Sequence, residues 1–338
     1  MTAKGRLKPY SVVSYFCGCG GLDLGFRGGF RYRGEDFPRL PFEIKAAYDN
    51  DARCVETYNG YFGEGRAQIA DLASLDAQKA PEARALIGGF PCQEFSSCGP
   101  LRGLGSARGR LYRALVSYMV ARRPEIVIGE NVVNLERMAR GAVLRTIRDD
   151  LAEAGYRVEV WKLFAPDYGV PQRRERLFIV CARDDVHARR GFPPKPEARF
   201  KGAHRSVEWA IGDLARVADE SVPNQSQFFA AARAKKGNGQ GDEKNKKDLP
   251  AYTVRANPKS RVQFHYSLDR RLTIRELARI QTFPDDFLFT HPKTASVSQI
   301  GNAVPPTLAY AVARSVGQFL EGAATGREGG ATATELLG

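Results

Sequence analysis

Histidine is scarce, with four in 338 residues, too few and too dispersed to complete a common zinc pattern with the cysteines. The same scarcity weighs against a hydrolase built on a histidine base. The six cysteines, at positions 17, 19, 54, 92, 98 and 181, form no CxxC pair, which argues against both a disulfide framework and structural zinc. No metal is therefore expected. Long apolar runs are missing as well: nothing approaches the roughly 18 unbroken apolar residues of a spanning helix. Met1–Pro9 lacks the apolar core of a signal peptide, so a cytoplasmic protein without membrane attachment is the expectation. Acidic residues are in the minority, 38 against 51 Lys and Arg, giving a formal charge of +13 and a pI near 9.6. That balance favours a polyanionic partner, nucleic acid first. With 43% hydrophobic residues the chain can bury a substantial core, and its length suits one large domain plus a smaller one.

What is present is a series of short apolar runs, each ending in glycine or a charged residue. Ser11 to Phe16 predicts a first strand, and Gly18, Gly20 and Gly21 a tight turn before a helix beginning in Leu22 to Phe26. Such a turn lets backbone approach a nucleotide-like ligand, and by itself suits a dinucleotide dehydrogenase equally well. A second strand, Ile44 to Tyr48, ends in Asp49-Asn50-Asp51, where Asp49 can accept hydrogen bonds from both hydroxyls of a ribose. Ala85, Leu86 and Ile87 form a buried strand stopped by Gly88, Gly89 and Pro91, so Cys92 lands where the chain leaves a sheet. A cysteine alone is most often a small buried hydrophobe. Two more segments outweigh that reading: Glu125 to Ile128 runs into Gly129-Glu130-Asn131-Val132, and Gln172-Arg173-Arg174-Glu175-Arg176 leads into Leu177 to Cys181. With helical patterns at Leu111 to Ala121 and Leu144 to Ala154, these strands describe an α/β doubly wound sheet whose active residues gather at the strands' carboxyl ends. Phe30 to Phe42 reads as a surface loop.

After Arg183 the pattern weakens, beginning with Gly191-Phe-Pro-Pro-Lys-Pro, and a second domain is expected. Between Asp184 and Arg270 there are 17 Lys or Arg against 11 Asp or Glu. The tract Arg233 to Lys247 reads as a mobile, solvated loop or a DNA clamp. Ala251 to Val262 is the candidate base-contacting segment, with Arg255, Asn257 and Arg261 suited to base edges, although phosphate anchoring by the same arginines is at least as strong an alternative, since roughly half to two-thirds of protein–DNA hydrogen bonds go to the backbone. Leu272 to Phe283 predicts an amphipathic helix capped by Thr273, with Glu276 three residues on and Pro284 as its stop. Gln299 to Thr307 then returns the chain to the first domain before a last helix to about Leu320 and a frayed tail. The expected division is 1–184 with 295–325, 185–294, and a tail at 326–338.

Six ordered blocks carry a resemblance over most of the chain: Phe16-Cys-Gly-Cys-Gly-Gly-Leu, Pro91-Cys-Gln, Glu130-Asn-Val, Gln172 to Arg176, Arg271-Leu-Thr-Ile-Arg-Glu-Leu-Ala-Arg-Ile-Gln-Thr-Phe-Pro, and Gln299-Ile-Gly-Asn-Ala-Val-Pro-Pro. Together they resemble the DNA (cytosine-5)-methyltransferases of bacterial restriction-modification systems. The resemblance implies a Rossmann-like S-adenosylmethionine-dependent domain with a smaller target-recognition domain. It implies that the cofactor sits against Phe16, the turn at Gly18, Gly20, Gly21 and Leu22, the pair Asp49-Asn50, Asp71-Leu72 near the adenine, Pro91, and Asn302-Ala303. The family more often has Glu and then an aromatic where this chain has Asp49-Asn50. For catalysis it implies Cys92 as nucleophile with Gln93 beside it, Glu130 as an acid whose pKa burial raises, and Asn131 holding the flipped base. Arg176 is to reach the base and orient Glu130, with Arg174 nearby. Cys98 stands where serine is frequent and is not expected to be the nucleophile. The glycine-rich segment from Cys92 to Arg110 suits a loop that closes over substrate, Ser96 and Arg108 then touching the DNA backbone. Double-stranded DNA is the expected partner, the chain a monomer, and a cognate restriction endonuclease its companion without a stable complex. A transfer-RNA methyltransferase, a solitary DNA methyltransferase and a DNA-binding module with an inactive core are the alternatives.

Overall fold

The computed structural model describes residues 8–91, 111–226, 243–257 and 263–325. In chain order its elements are β1 (Tyr10–Tyr15), α1 (Gly21–Arg27), β2 (Phe30–Tyr32), β3 (Glu35–Phe37), β4 (Phe42–Asp49), α2 (Ala52–Phe62), β5 (Ala67–Ile69), β6 (Ala85–Gly89), α3 (Arg113–Arg122), β7 (Ile126–Val132), α4 (Ala142–Glu153), β8 (Tyr156–Phe164), β9 (Glu175–Arg183), α5 (Asp184–Arg190), α6 (Val207–Ile211), β10 (Glu243–Lys244), β11 (Gln263–Phe264), α7 (Ile274–Ile280), α8 (Lys293–Asn302) and α9 (Pro306–Thr325). Among the described residues no helix is long and apolar enough to cross a membrane.

Seven strands form one sheet in the order β5-β4-β1-β6-β7-β9-β8. The first five in that order are parallel, as expected of a doubly wound fold, and β9 runs antiparallel to both β7 and β8. Because side chains alternate across a strand, each central strand feeds two cores. Val12, Ile87, Ile128, Phe178 and Trp161 face α1 and α9, where Phe26, Leu308, Val312 and Val316 meet them. Val13, Leu86, Val127 and Ile179 face α3 and α4 and pack on Leu115, Met119, Ile147 and Leu151. Each fully buried Leu, Ile, Val or Phe contributes about 1.5–3 kcal/mol over leaving it exposed. Val186 of α5 joins the first of these cores, so packing against the sheet continues past Arg183.

A third core lies against the outer side of α1. Leu24, Phe30 and Tyr32 pack there with Val207 and Ile211 of α6, Ile274 and Ile280 of α7, and Val297 and Ile300 of α8. Four expectations change here. Phe30 to Phe37 is a hairpin, not a loop: Arg33 (φ 47°) and Gly34 (φ 81°) turn it, and the Phe30 and Phe37 rings stack at 4.7 Å. The helix expected over Leu272 to Phe283 does begin at the Thr273 cap, with the capping box to Glu276 complete, but it ends at Ile280. The chain turns there because Thr282 adopts φ 68° and Phe283 N–H reaches back to the Ala278 carbonyl. Nor is this helix amphipathic. All seven residues are buried, and Arg275 satisfies its guanidinium on the carbonyls of Pro223, Pro284 and Phe287. Finally, the end of the tract Arg233 to Lys247 is ordered by pairing: β10 lies parallel to β11, and buried Asn245 donates to the Phe264 carbonyl and accepts from Tyr252 N–H. Residues 233–242 lie outside the described residues.

Candidate active site

The crevice opens where the strand order reverses, between β1 and β6, the place where doubly wound sheets bind ligands. A cavity of ≈ 380 Å³ lies there, walled by the turns after β1, β4, β6 and β7 and by the chain at Gly301 to Val304. After β1 the backbone turns through left-handed residues: Phe16 at φ 54°, Gly18 at 53° and Gly20 at 94°. Glycine adopts this region freely, whereas Phe16 is held there at a cost of about 1–2 kcal/mol by its surroundings. Gly21 admits no side chain, since a Cβ would lie 2.4 Å from the Val304 carbonyl oxygen. Asp49, at the end of β4, ties the turn down: one carboxylate oxygen accepts from Gly18 N–H at 2.8 Å and the other from Asp51 N–H at 3.0 Å. Burial raises its pKa against those two donors. A carboxylate has about four lone-pair sites, so these bonds leave room for a diol.

Phe16, Gly18, Gly21, Leu22, Asp49, Asn50, Pro91, Asn302 and Ala303 all line this cavity, together with Glu130, Asn131 and Arg176. Gly20 is not among the lining residues; a Cβ there would meet the Phe62 and Tyr58 rings. Asp71 and Leu72 stand apart from the lining: Asp71 caps its own turn by accepting from Ala73 N–H, and Leu72 is drawn into the core shared with α3 and α4. Residues without an assigned role in the sequence reading also line it, among them Cys17, Cys19, Cys54, Gln299, Gly301 and Val304. For all but Cys54, the signal lies within the quoted blocks at Phe16 and Gln299. Asp23 is the one acid in the apolar run from Leu22 to Phe26. It is fully buried behind the turn, accepting from Ser14 Oγ and Tyr58 Oη at 3.0 Å each, and burial lifts its pKa to about 7.

At the other side of the crevice β6 and β7 pair so that Gly89 is opposite Glu130. Because β9 is antiparallel, its first residues lie beside the last of β7, and Arg176 falls in register with Val132. The topology thus brings a cation from far along the chain to the carboxyl edge of the parallel strands. Arg176 Nε lies 2.7 Å from Glu130 Oε1, both side chains nearly buried. Burial pushes the Glu130 carboxyl above its ordinary pKa, while Arg176 and, more weakly, Arg174 draw it back without overcoming burial. Such a carboxyl can hold a proton and donate it to a neighbouring base.

Two of the expected residues already have partners of their own. Asn131 lines the cavity with part of its amide engaged: Nδ2 donates to the Phe90 carbonyl at 2.9 Å and Oδ1 accepts from Val132 N–H at 2.8 Å. It braces the strand end from which Pro91 leads into Cys92. Arg174 does not line the cavity. Its guanidinium is wholly buried behind the wall, donating to the carbonyls of Val254 (3.0 Å), Gly301 (2.8 Å) and Ala303 (3.1 Å). Burial depresses its pKa well below the usual arginine value. Of the candidate DNA contacts, Arg255 and Asn257 are exposed just beyond buried Val254. Cys92, Gln93, Ser96, Cys98, Arg108 and Arg261 lie outside the described residues.

Comparison with known proteins bears on the family and the fold. The family model described as C-5 cytosine-specific DNA methylase matches residues 10–245 and 224–318. The chain is 33% identical to the Type II methyltransferase M.BspRI of Lysinibacillus sphaericus, over 92% of this chain and 82% of that protein. It is 29% identical to the Type II methyltransferase M.NgoPII of Neisseria gonorrhoeae, over 93% and 97%. The fold matches that of S. pombe Dnmt2 methyltransferase with a TM-score of 0.65 at 17% identity, covering 93% of this chain and 99% of that one. It matches the Entamoeba histolytica methyltransferase EhMeth with a TM-score of 0.67 at 16% identity, over 93% and 99%. A doubly wound sheet with a buried acid–arginine pair at its switch point, the ordered blocks, and a family match over most of the sequence make this chain a member of the C-5 cytosine-specific DNA methylase family, a DNA cytosine-5 methyltransferase.

Proposed function

We propose that the protein methylates C5 of a cytosine flipped out of a short, specific double-stranded DNA site, through a covalent bond between Cys92 and C6, as the modification half of a restriction-modification system. The observation that carries this reading is that one cavity is lined both by the Asp49 and glycine-turn wall and by Glu130 with Arg176, next to the strand end that runs into Cys92. The wall suits S-adenosylmethionine: its volume lies within the range of small-ligand sites, left-handed glycines allow close backbone approach, and Asp49 retains acceptor capacity for a ribose. When bound, this cofactor supplies an electrophilic methyl group. Asp49 and Asn50 would hold its nucleoside end, with Phe16, Leu22 and Ala303 as apolar walls.

Cytosine C5 is too weakly nucleophilic to accept a methyl group unaided. Cys92 thiolate adds to C6, forming the S–C6 bond and moving an electron pair toward C5. Glu130 gives a proton or a strong hydrogen bond to N3 to neutralise the charge that develops there. Arg176 keeps Glu130 oriented and faces the base's carbonyl oxygen. After methylation the C5 proton leaves to a base, the returning electron pair expels Cys92 as thiolate, and N3 gives its proton back to Glu130. The target must leave the duplex first, at a cost of a few kcal/mol in pairing and stacking. The net positive charge and exposed Arg255 and Asn257 support DNA engagement beside the cleft.

Expression in a host lacking cytosine methylation, followed by conversion sequencing of its DNA, tests this. Methylcytosine confined to one short motif is expected, with none from Cys92→Ser. Soluble protein that binds S-adenosylmethionine but leaves no mark would overturn the DNA assignment, and tritium transfer retained by Cys92→Ser would overturn the covalent step.

A further inference from the structure

The wall at Gly301 to Ala303 and the segment Val254 to Asn257 are far apart in sequence yet share a closed set of hydrogen bonds. Gln172 accepts from Val254 N–H at 2.8 Å and donates through Nε2 to Gln281 Oε1 at 2.5 Å. Gln281 Nε2 donates to the Ala303 carbonyl at 2.5 Å, and Arg174 closes the ring by bonding the Val254, Gly301 and Ala303 carbonyls at once. Beneath it the two backbones touch: a Cβ on Gly301 would lie 2.3 Å from both Ala256 N and the Arg255 carbonyl carbon. One side of this unit lines the cavity through Gly301, Asn302 and Ala303. The other side carries exposed Arg255 and Asn257.

We propose that Arg174 is a positioning residue which, with Gly301, makes the cofactor wall and the DNA-facing segment a single rigid unit, so that filling the cleft and engaging DNA strengthen each other. This rests on the function proposed above. A buried guanidinium bridging three carbonyls has few alternative arrangements, because each carbonyl left bare in that dry setting is costly. Displacing Gly301 to Ala303 therefore displaces Val254 to Asn257 with it. Two sites that bias one shared element are coupled, and coupling between binding sites is reciprocal.

The test is the affinity of a fluorescent duplex carrying the mapped methylation site, measured by anisotropy with and without saturating S-adenosylhomocysteine. The wild type should bind DNA at least about fivefold tighter with it, a typical lower bound for coupled sites. S-adenosylhomocysteine should bind tighter with DNA present by the same factor. In Arg174→Gln that ratio should fall to within about twofold of one, whereas a merely structural role would weaken both affinities and leave the ratio intact. Gly301→Ala keeps the arginine, forces the backbones apart, and should show the same collapse. It replaces Arg174→Gln if that variant melts below the assay temperature. A wild-type ratio near one, or a preserved ratio in the variants, overturns the coupling while leaving the activity standing. Failure of the wild type to bind S-adenosylhomocysteine at all would overturn the proposed function and the coupling with it.

Discussion

Replacing Arg176 with glutamine should destabilise the protein by an amount that depends on pH. The native guanidinium lies 2.7 Å from Glu130 Oε1, with side chains 12% and 9% exposed. Removing one partner of a buried ion pair costs about 3–5 kcal/mol when the remaining charge stays ionised. Glu130 has an escape, because burial already draws it toward protonation. Without Arg176 its folded pKa rises further above the unfolded value of about 4.3. The folded variant then keeps a proton that the unfolded chain has released, so its stability falls as pH rises above about 5, by at most about 1.4 kcal/mol per pH unit. The deficit against wild type should be about 1 kcal/mol at pH 5 and about 3 kcal/mol at pH 8, read from urea unfolding followed by tryptophan fluorescence. Arg176→Gln combined with Glu130→Gln should recover most of the loss at pH 8, since no buried charge is then stranded. An equal deficit at both pH values, or a double variant no more stable than the single one, would refute the reasoning.

Asp23 offers a second titration. Its folded pKa of about 7 lies above the ordinary carboxyl value, so the folded state binds the proton more tightly and stability should fall as pH rises from about 4 to about 7. Asp23→Asn keeps polar partners for Ser14 and Tyr58 and should show a flatter stability profile over that window. Parallel wild-type and variant profiles in urea would count against the assignment. Asn131→Ala should lose turnover more than cofactor affinity, because it strips the brace from the Phe90 carbonyl two residues before Cys92 and leaves a buried group costing about 1–3 kcal/mol. A rise in the Michaelis constant for S-adenosylmethionine with unchanged turnover would contradict this.

The division between what the sequence determined and what required the tertiary structure follows the range of the interactions. Short apolar runs that stop at glycine or at a charged residue were sufficient to locate β1, β4, β6 and β7, because a strand buried on both faces announces itself locally. Strand ends carry the site in this architecture, so Phe16, Asp49 and Glu130 were legible with them. The Thr273 cap was legible for the same reason, as a capping box is complete within four residues. Partner choice was legible only through the family resemblance, which set Arg176 beside Glu130, and not at all for Arg174. What Arg174 and Arg176 meet depends on β9 running antiparallel to β7, and on which carbonyls crowd behind the wall. Arg176, within β9, meets a carboxylate, whereas Arg174, just before the strand, meets three carbonyls drawn from residues 254, 301 and 303. The hairpin at Phe30 to Phe37 and the all-buried α7 escaped local reading likewise, since much of their burial comes from segments distant in sequence. Local chemistry set the strand ends and the reactive residue types, and packing between distant segments decided which of those residues face the cleft and which hold it in place.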